Sequence, residues 1–218
     1  MDFHNLPSRI LNRIKSRSLY LVRRNFLYCR TFYSRFRRKY PDRPVKLNLG
    51  CNVIYMEDWI NVDFDKHFRA DLYADLRKIA GFFPEGSVDA ILLSHVISYL
   101  SHEDALRFFA AVRPMLKDNA PLILEFPDIK KIAGNVLQLD SCGNDAEWEQ
   151  FVECLRPIFA FVPEQFTHGK KYDTYVFSWS AAQAKYQLEK AGYRKVLVLP
   201  PQYHNGLCNR DTRIEAYK

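Results

Sequence analysis

From Val45 onward, short apolar runs alternate with amphipathic stretches, and this alternation constrains the fold more than any other feature of the chain. Each apolar run is bounded by glycine, proline or acidic residues, as the strands of an α/β domain are. Such alternation predicts a mainly parallel sheet with helices on both faces and a ligand at the carboxyl ends of the strands. The predicted strands are Val45–Leu49, Trp59–Asp63, Ala70–Tyr73, Ser87–Leu93, Pro121–Phe126, Arg194–Leu199 and Thr212–Tyr217, and the predicted helices are Glu103–Leu116, Ile129–Leu139, Glu147–Ile158 and Ser180–Ala191.

The first 44 residues differ from the remaining chain in charge. Of the 218 residues, 1–44 carry twelve Lys and Arg against two Asp, a balance of +10, whereas 45–218 carry 20 basic and 23 acidic residues, a balance of −3. Residues 6–40 are predicted to form a helix, which Pro41 ends because proline cannot continue the hydrogen-bond ladder. We therefore expect a basic amphipathic helical arm, 1–44, and a separate domain, 45–218.

One face of the arm is apolar and largely aromatic. Such a face beside arginines predicts an interfacial helix on an anionic membrane surface, or docking on the protein's own body or on a second subunit of a homo-oligomer. Nucleic-acid binding is disfavoured, because the domain itself is mildly acidic. The face consists of Val22, Phe26, Cys29, Tyr33, Phe36 and Tyr40, spaced three or four residues apart.

The cysteines indicate a cytoplasmic protein. They are odd in number, scattered and without a C-x-x-C pair, so neither a disulfide framework nor a zinc or other metal site is expected. The longest apolar run near the N-terminus, Leu19–Val22, is far shorter than a secretory signal requires. The cysteines are Cys29, Cys51, Cys142, Cys154 and Cys208.

The first segment with potential chemistry is the end of the first strand. Gly50 lets the backbone turn sharply and approach a ligand, and Asn52 tolerates the positive φ of such a turn. Asp63 ends the second strand thirteen residues later. Its carboxylate is suited to accept hydrogen bonds from both ribose hydroxyls, or alternatively to cap a turn. This spacing is shorter than the roughly 20 residues of a dinucleotide-binding fold, which disfavours NAD.

Two further strand ends carry polar side chains. Asp75 is placed to accept from an adenine amino group while Leu76 packs on the ring, although a solvated loop aspartate is the simpler alternative. Ser94 and His95 follow the fourth strand and are predicted to lie over the switch point. Because histidine ordinarily titrates near neutral pH, His95 is a candidate to orient a substrate or to accept a proton. The alternative is a histidine that only forms hydrogen bonds with the backbone.

The motifs resemble those of a bacterial methyltransferase group. The chain is similar over 45–128, and again at 177–196 and 210–218, to small S-adenosylmethionine-dependent methyltransferases associated with surface-polysaccharide synthesis. The resemblance implies a Rossmann-like, seven-stranded, mostly parallel sheet with an antiparallel last strand. The matching segments are Leu47-Asn-Leu-Gly-Cys-Asn52, Asp58-Trp-Ile-Asn-Val-Asp63, Ala74-Asp-Leu76, Gly86-Ser-Val-Asp89 and Ser94-His-Val96.

The resemblance also implies S-adenosyl-L-methionine as the cofactor. Gly50 and Cys51 would line its methionine end, with Asn48 among the binding residues. Asp63 would hold the ribose, and Asp75 with Leu76 the adenine. Ser94 and His95 would lie near the transferred methyl group, with His95, and alternatively His168, as the base for a hydroxyl acceptor.

The acceptor side is expected in the long connection 128–178. Connections of this length often form lids, and its His168, Tyr172 and Tyr175 suit a sugar or another small hydroxylated acceptor. The predicted function is therefore O-methylation in polysaccharide synthesis, in the cytoplasm or peripherally at the inner face of the membrane. The alternative is a degenerate methyltransferase fold that acts as a binding or scaffold protein. It is motivated by departures from the family's usual residues at Asn52, at Ser98-Tyr99 and at Asp118-Asn-Ala120.

Overall fold

A computed structural model describes residues 31–139, 145–159, 175–203 and 209–218. Within these ranges the chain forms one seven-stranded sheet in the order β3-β2-β1-β4-β5-β7-β6. The strands are β1 (Lys46–Leu49), β2 (Ile60–Asp63), β3 (Leu72–Tyr73), β4 (Ala90–Ser94), β5 (Pro121–Pro127), β6 (Lys195–Leu199) and β7 (Asp211–Tyr217). The helices are α1 (31–39), α2 (His102–Val112), α3 (Ile129–Leu137), α4 (Asp145–Phe159) and α5 (Ala181–Lys190).

The predicted α/β class and strand arrangement are confirmed. β1 to β5 pair in parallel, whereas β7 runs antiparallel to both β5 and β6. The central strands are continuous apolar runs, and Leu47, Ile91 and Leu122 are fully buried in them. Such runs are typical of parallel strands that are covered on both faces.

The structure differs from the predicted elements at short 3₁₀ helices. Leu76–Phe82 and Ile97–Tyr99 form 3₁₀ helices that the sequence did not predict. The predicted helix Glu103–Leu116 is regular only as far as Val112, and Arg113–Met115 continues it as a 3₁₀ turn. Pro114 explains the change, because its nitrogen has no hydrogen to donate to the α-helical ladder.

The described end of the predicted arm packs on the protein's own body. Phe32 is buried, and its ring and that of Tyr33 meet Phe83 edge-on at centroid distances of 6.3 and 6.1 Å. Phe36 stacks on Phe32 at 6.3 Å. For residues 31–40 the aromatic face is therefore occupied largely by the domain.

Residues 1–30 lie outside the described ranges, and with them Val22, Phe26 and Cys29 of the predicted aromatic face. Among the helices that the structure describes, none combines the length and apolar character that a membrane crossing requires.

Asp128 joins the two ends of the predicted lid segment. Its Oδ1 accepts the Lys130 N–H at the start of α3 at 2.9 Å, and its Oδ2 accepts the Ala181 N–H at the start of α5 at 3.0 Å. The Ile129 N–H also donates to the Trp179 carbonyl at 2.9 Å. One buried carboxylate thus caps two helices whose starting residues are far apart in sequence.

We expect Asp128→Ala to lower the free energy of unfolding by about 2 kcal/mol or more, because two helix-terminal N–H groups lose their acceptor. Ser101→Ala is the matched control, because Ser101 caps only α2, through the Asp104 N–H at 3.1 Å. The control should lose about 1 kcal/mol. Urea unfolding monitored by circular dichroism measures both, and equal losses would contradict the double capping role.

Candidate active site

The carboxyl ends of the central strands lie at one level of the sheet. Leu49 is in register with Val62 of β2, and Val62 with Leu72 of β3. Asn48 is in register with Leu92 of β4, so the residues two positions on, Gly50 and Ser94, are also level. The chain leaves β1 and β4 towards opposite halves of the sheet. This edge is therefore the switch point at which α/β sheets bind ligands.

The turn after β1 requires glycine. Gly50 has φ +69°, and a Cβ built on it would lie 2.5 Å from Cγ2 of Val96, which follows β4. The N–H groups of Gly50 and Cys51 donate to the Val62 carbonyl at 2.7 and 3.2 Å. Asn52 has φ +47°, as the sequence predicted. The backbone therefore turns tightly between the ends of β2 and β4.

Asp63 holds this turn in place. Its Oδ2 accepts the Asn52 N–H and its Oδ1 accepts the Asp65 N–H, both at 2.9 Å. The residue is only 5% exposed. A carboxylate offers about four acceptor sites, of which these bonds use two. Asp63 therefore has the turn-capping role that the sequence left open, and it keeps acceptor sites suited to a pair of hydroxyls.

Asn48 belongs to a buried polar network. Its Nδ2 donates to the Ile54 carbonyl at 3.1 Å and to Oδ1 of Asn61 at 3.0 Å. Asn61 in turn donates through Nδ2 to the carbonyls of Met56 and Trp59. The described hydrogen bonds of Asn48 and Asn61 therefore hold the connection 50–59, which begins with the Gly50 turn.

Cys51 is buried at the same turn and behaves as a neutral thiol. Burial first, and then the nearby Asp63 carboxylate, raise its pKa to about 11. Its Sγ donates weakly to the Arg69 carbonyl at 3.6 Å. At neutral pH the side chain is therefore an apolar wall rather than a nucleophile. In the described ranges no group of three or more His, Cys, Asp and Glu is placed to bind a metal ion.

Asp75 and Leu76 begin the 3₁₀ helix after β3. The Asp75 carboxylate accepts the Arg77 N–H at 3.0 Å and pairs with the Arg77 guanidinium at 2.7 Å. The hydrogen bond from the Arg77 side chain lowers the Asp75 pKa. Leu76 packs partly buried against the core. An adenine amino group would therefore have to share this carboxylate with Arg77.

Phe64 is a candidate that the sequence analysis missed. It follows Asp63 directly, and 60% of it is exposed at the strand ends. An aromatic ring beside a carboxylate that could accept from hydroxyls is suited to stack on a base. The signal in the sequence was an aromatic residue immediately after the acidic end of a strand.

His95 lies at the end of β4 with φ +58°, a conformation uncommon for a residue other than glycine. Its N–H donates to the Glu125 carbonyl at 2.7 Å. Its Nδ1 lies 3.2 Å from the Tyr175 hydroxyl, and its Nε2 lies 3.2 Å from Oδ2 of Asp211. Ser94 beside it is partly exposed. His168, the alternative base, and Tyr172 lie outside the described residues.

Ser98-Tyr99, one of the segments that depart from the family's usual residues, forms the wall beside His95. The Ser98 carbonyl accepts the N–H groups of Val176 and Phe177 at 2.8 and 3.1 Å. The Tyr99 ring meets the Tyr175 ring edge-on at a centroid distance of 4.9 Å. These contacts bring Tyr175 to the histidine.

Glu125, in the middle of β5, is a second group that the sequence analysis missed. Its carboxylate is fully buried and accepts the Gln202 N–H at 2.8 Å and the Tyr203 N–H at 3.0 Å. Glu125 is in register with Ser94. Its hydrogen bonds therefore hold the segment after β6 close to Ser94. A carboxylate inside an apolar strand, Pro121-Leu-Ile-Leu-Glu-Phe126, was the available signal.

No family model and no curated protein matches the chain. Solved structures do. A SAM-dependent methyltransferase from Archaeoglobus fulgidus is similar with a TM-score of 0.51 and 13% identity, over 85% of this chain and 92% of that one. A SAM-dependent methyltransferase from Methanosarcina mazei is similar with a TM-score of 0.51 and 11% identity, over 83% of this chain and 95% of that one.

The chain has the fold of the SAM-dependent methyltransferases. The resemblance drawn from the motifs is confirmed at this level, and the sheet with its antiparallel β7 agrees with what it implied. At 11–13% identity these structures show the fold, and they carry no residue roles to this chain.

We expect Gly50→Ala to lower the free energy of unfolding by about 2–4 kcal/mol, because a Cβ clash with Val96 adds to the cost of a positive φ. Gly86→Ala is the matched control. Gly86 has φ +62°, but a Cβ built on it would meet nothing within 4 Å. The control isolates the backbone cost, about 1 kcal/mol. Thermal and urea unfolding measure the stability of both variants. Equal losses of stability would mean that the clash with Val96 adds nothing to the backbone cost.

Proposed function

We propose that this chain is an S-adenosylmethionine-dependent methyltransferase that methylates a hydroxyl group of a small acceptor. The observation that carries the proposal is the common position of the Gly50 turn, Asp63 and His95 at the switch point of a methyltransferase fold. The residues proposed to hold the cofactor and the histidine proposed to serve the acceptor thus share one edge of the sheet.

The residues at the ends of β1 and β2 fit the cofactor. A tight, glycine-dependent turn suits close approach of the methionine portion, and Asp63 has acceptor capacity for the ribose hydroxyls. Phe64, which is 60% exposed, offers an aromatic ring on which the adenine could stack. Asp75 and Leu76 lie one strand further along. When bound, S-adenosyl-L-methionine supplies an electrophilic methyl group, and the protein aligns the acceptor with it and excludes water.

The acceptor side is proposed at His95, with Tyr99 and Tyr175 as its wall. Tyrosine and histidine side chains combine flat apolar surface with hydrogen-bonding tips, which suits a sugar or another hydroxylated molecule. The segment 128–178, with His168, is proposed to cover this side, since its ends meet at Asp128 and Trp179. A role in polysaccharide synthesis within the cytoplasm would match the resemblance of the motifs.

The second candidate is a degenerate fold that binds a partner without turnover. The Asp75–Arg77 ion pair favours it, because this pair occupies the carboxylate assigned to the adenine. Cofactor binding separates the two candidates.

We expect calorimetric titration to show micromolar binding of S-adenosylmethionine and S-adenosylhomocysteine. Phe64→Ala should weaken this binding about tenfold, as the loss of one base–aromatic stack predicts. Tyr186→Ala on α5 is the matched control, since Tyr186 is 61% exposed against 60% for Phe64. The control should bind like the parent protein.

Absence of binding at millimolar cofactor would contradict the enzymatic proposal and favour the degenerate fold. If both variants weakened cofactor binding equally, Phe64 would have no specific contact with the cofactor. Asp63→Asn is a further test of the ribose contact, with thermal unfolding as its control, because Asp63 also holds the turn.

We also propose that the arm binds an anionic surface, specifically the inner face of a membrane. In residues 31–40 the aromatic face is largely taken up by the domain, but Arg35, Arg38 and Lys39 are exposed on the same helix. Attraction there would be electrostatic, at about 1 kcal/mol for each basic side chain near the surface.

Full-length protein should therefore sediment with phosphatidylcholine vesicles that contain phosphatidylserine, and not with phosphatidylcholine alone. Replacing three cations of the arm by serine should weaken binding at least tenfold, whereas the same charge change elsewhere should not. The test variant is Arg35→Ser with Arg38→Ser and Lys39→Ser, and the control is Lys66→Ser with Lys78→Ser and Arg194→Ser. Sedimentation that does not depend on phosphatidylserine would refute the proposal.

A further inference from the structure

His95 lies between two side chains from distant parts of the chain. Tyr175 is 80 residues away and Asp211 is 116 residues away, yet both approach its ring nitrogens at 3.2 Å. The histidine itself has φ +58°. A strained backbone conformation persists only where its surroundings hold it, and such positions concentrate at functional sites.

The partners decide which nitrogen of His95 carries the proton. An ionised carboxylate can only accept hydrogen bonds, so the nitrogen that faces Asp211, Nε2, must be the donor. In the neutral ring Nδ1 is then an acceptor, and it faces the Tyr175 hydroxyl, which donates to it. Burial raises the pKa of Tyr175, so its hydroxyl keeps its proton at neutral pH.

Each partner is held by its own surroundings. Asp211 is 1% exposed, is in register with Pro127 at the end of β5, and has the Arg210 Nε 3.5 Å from its Oδ1. The Lys131 ammonium donates to the Asp211 carbonyl at 2.6 Å. The Arg210 guanidinium beside this buried carboxylate favours its ionised form, whereas Lys131 contacts only the main-chain carbonyl. Tyr175 is held by the Tyr99 ring and by the Ser98 carbonyl through Val176.

We propose that Asp211 is a positioning residue that fixes His95 as the Nε2–H tautomer, and that Tyr175 relays the proton of the acceptor hydroxyl to Nδ1 of His95. The inference rests on the proposed function. As the acceptor oxygen bonds to the methyl carbon, the methyl–sulfur bond breaks with its electron pair going to sulfur. The acceptor proton passes to the Tyr175 oxygen and the proton of Tyr175 to Nδ1. The resulting imidazolium is stabilised by the Asp211 carboxylate.

The tautomer is tested without cofactor or acceptor. Full-length protein labelled with ¹⁵N-histidine is examined by NMR at mildly alkaline pH, where an ordinary imidazole is neutral. His95→Gln identifies the His95 signals. We expect a protonated, pyrrole-type Nε2 and a pyridine-type Nδ1, with loss of this preference in Asp211→Asn but not in the control Asp118→Asn. A pyridine-type Nε2 in the parent protein would overturn the inference, even if Asp211→Asn failed to fold.

The relay is tested by turnover. Tyr175→Phe should lower kcat about a hundredfold with little change in the KM for the cofactor, as loss of a proton-transfer group predicts. Tyr193→Phe is the control, since the Tyr193 hydroxyl donates at 3.1 Å to the Phe109 carbonyl, away from His95. Unchanged kcat in Tyr175→Phe would overturn the relay. Absence of turnover in the parent protein would refute the proposed function and the relay, whereas the tautomer assignment is judged by NMR alone.

Discussion

The contact between the Gly50 turn and Val96 is the constraint on which the site depends. β1 and β4 are neighbours, but the chain leaves them in different directions, so their ends are separate segments that must pack together. With no side chain at position 50, Val96 fills the space above the turn. The segment after β4 therefore lies close enough to β1 for His95 to face the same edge of the sheet as Asp63. This packing contact therefore joins the ends of β1 and β4, where the two halves of the proposed site lie.

Buried carboxylates then hold the loops that surround this contact. Asp63 accepts backbone N–H groups of the turn after β1, Glu125 those of the segment after β6, and Asp128 those of two helix starts. An ionised carboxylate that accepts backbone N–H groups forms stronger hydrogen bonds than a neutral acceptor. A sheet edge whose connections have little regular structure can thus be well ordered. At Asp63 the two backbone hydrogen bonds use part of the carboxylate's acceptor capacity, so the proposed ribose contact is compatible with its structural role.

The sequence predicted the sheet well because buried parallel strands are uninterrupted apolar runs between turn residues, and this pattern is local. It missed the 3₁₀ helix Leu76–Phe82, because short 3₁₀ helices have no distinctive periodicity. It identified His95 from its place after β4. It could not identify Asp211 as a partner, because only the antiparallel pairing of β7 with β5 brings that residue to the histidine. Likewise, the ion pair of Asp75 with Arg77 depends on the 3₁₀ turn that begins there.

The residues that depart from the motifs of the resembling family fit the backbone at their positions. Asn52 and Asn119 have φ +47° and +63°, so each asparagine adopts a turn conformation that favours glycine. Ser98-Tyr99 lies beside His95 rather than at the turn after β1, and its contacts bring Tyr175 to His95. A histidine at φ +58° beside a buried aspartate is a strained arrangement of the kind that concentrates at functional sites. The altered segments therefore preserve the turn after β1, and their effect falls on the surroundings of His95.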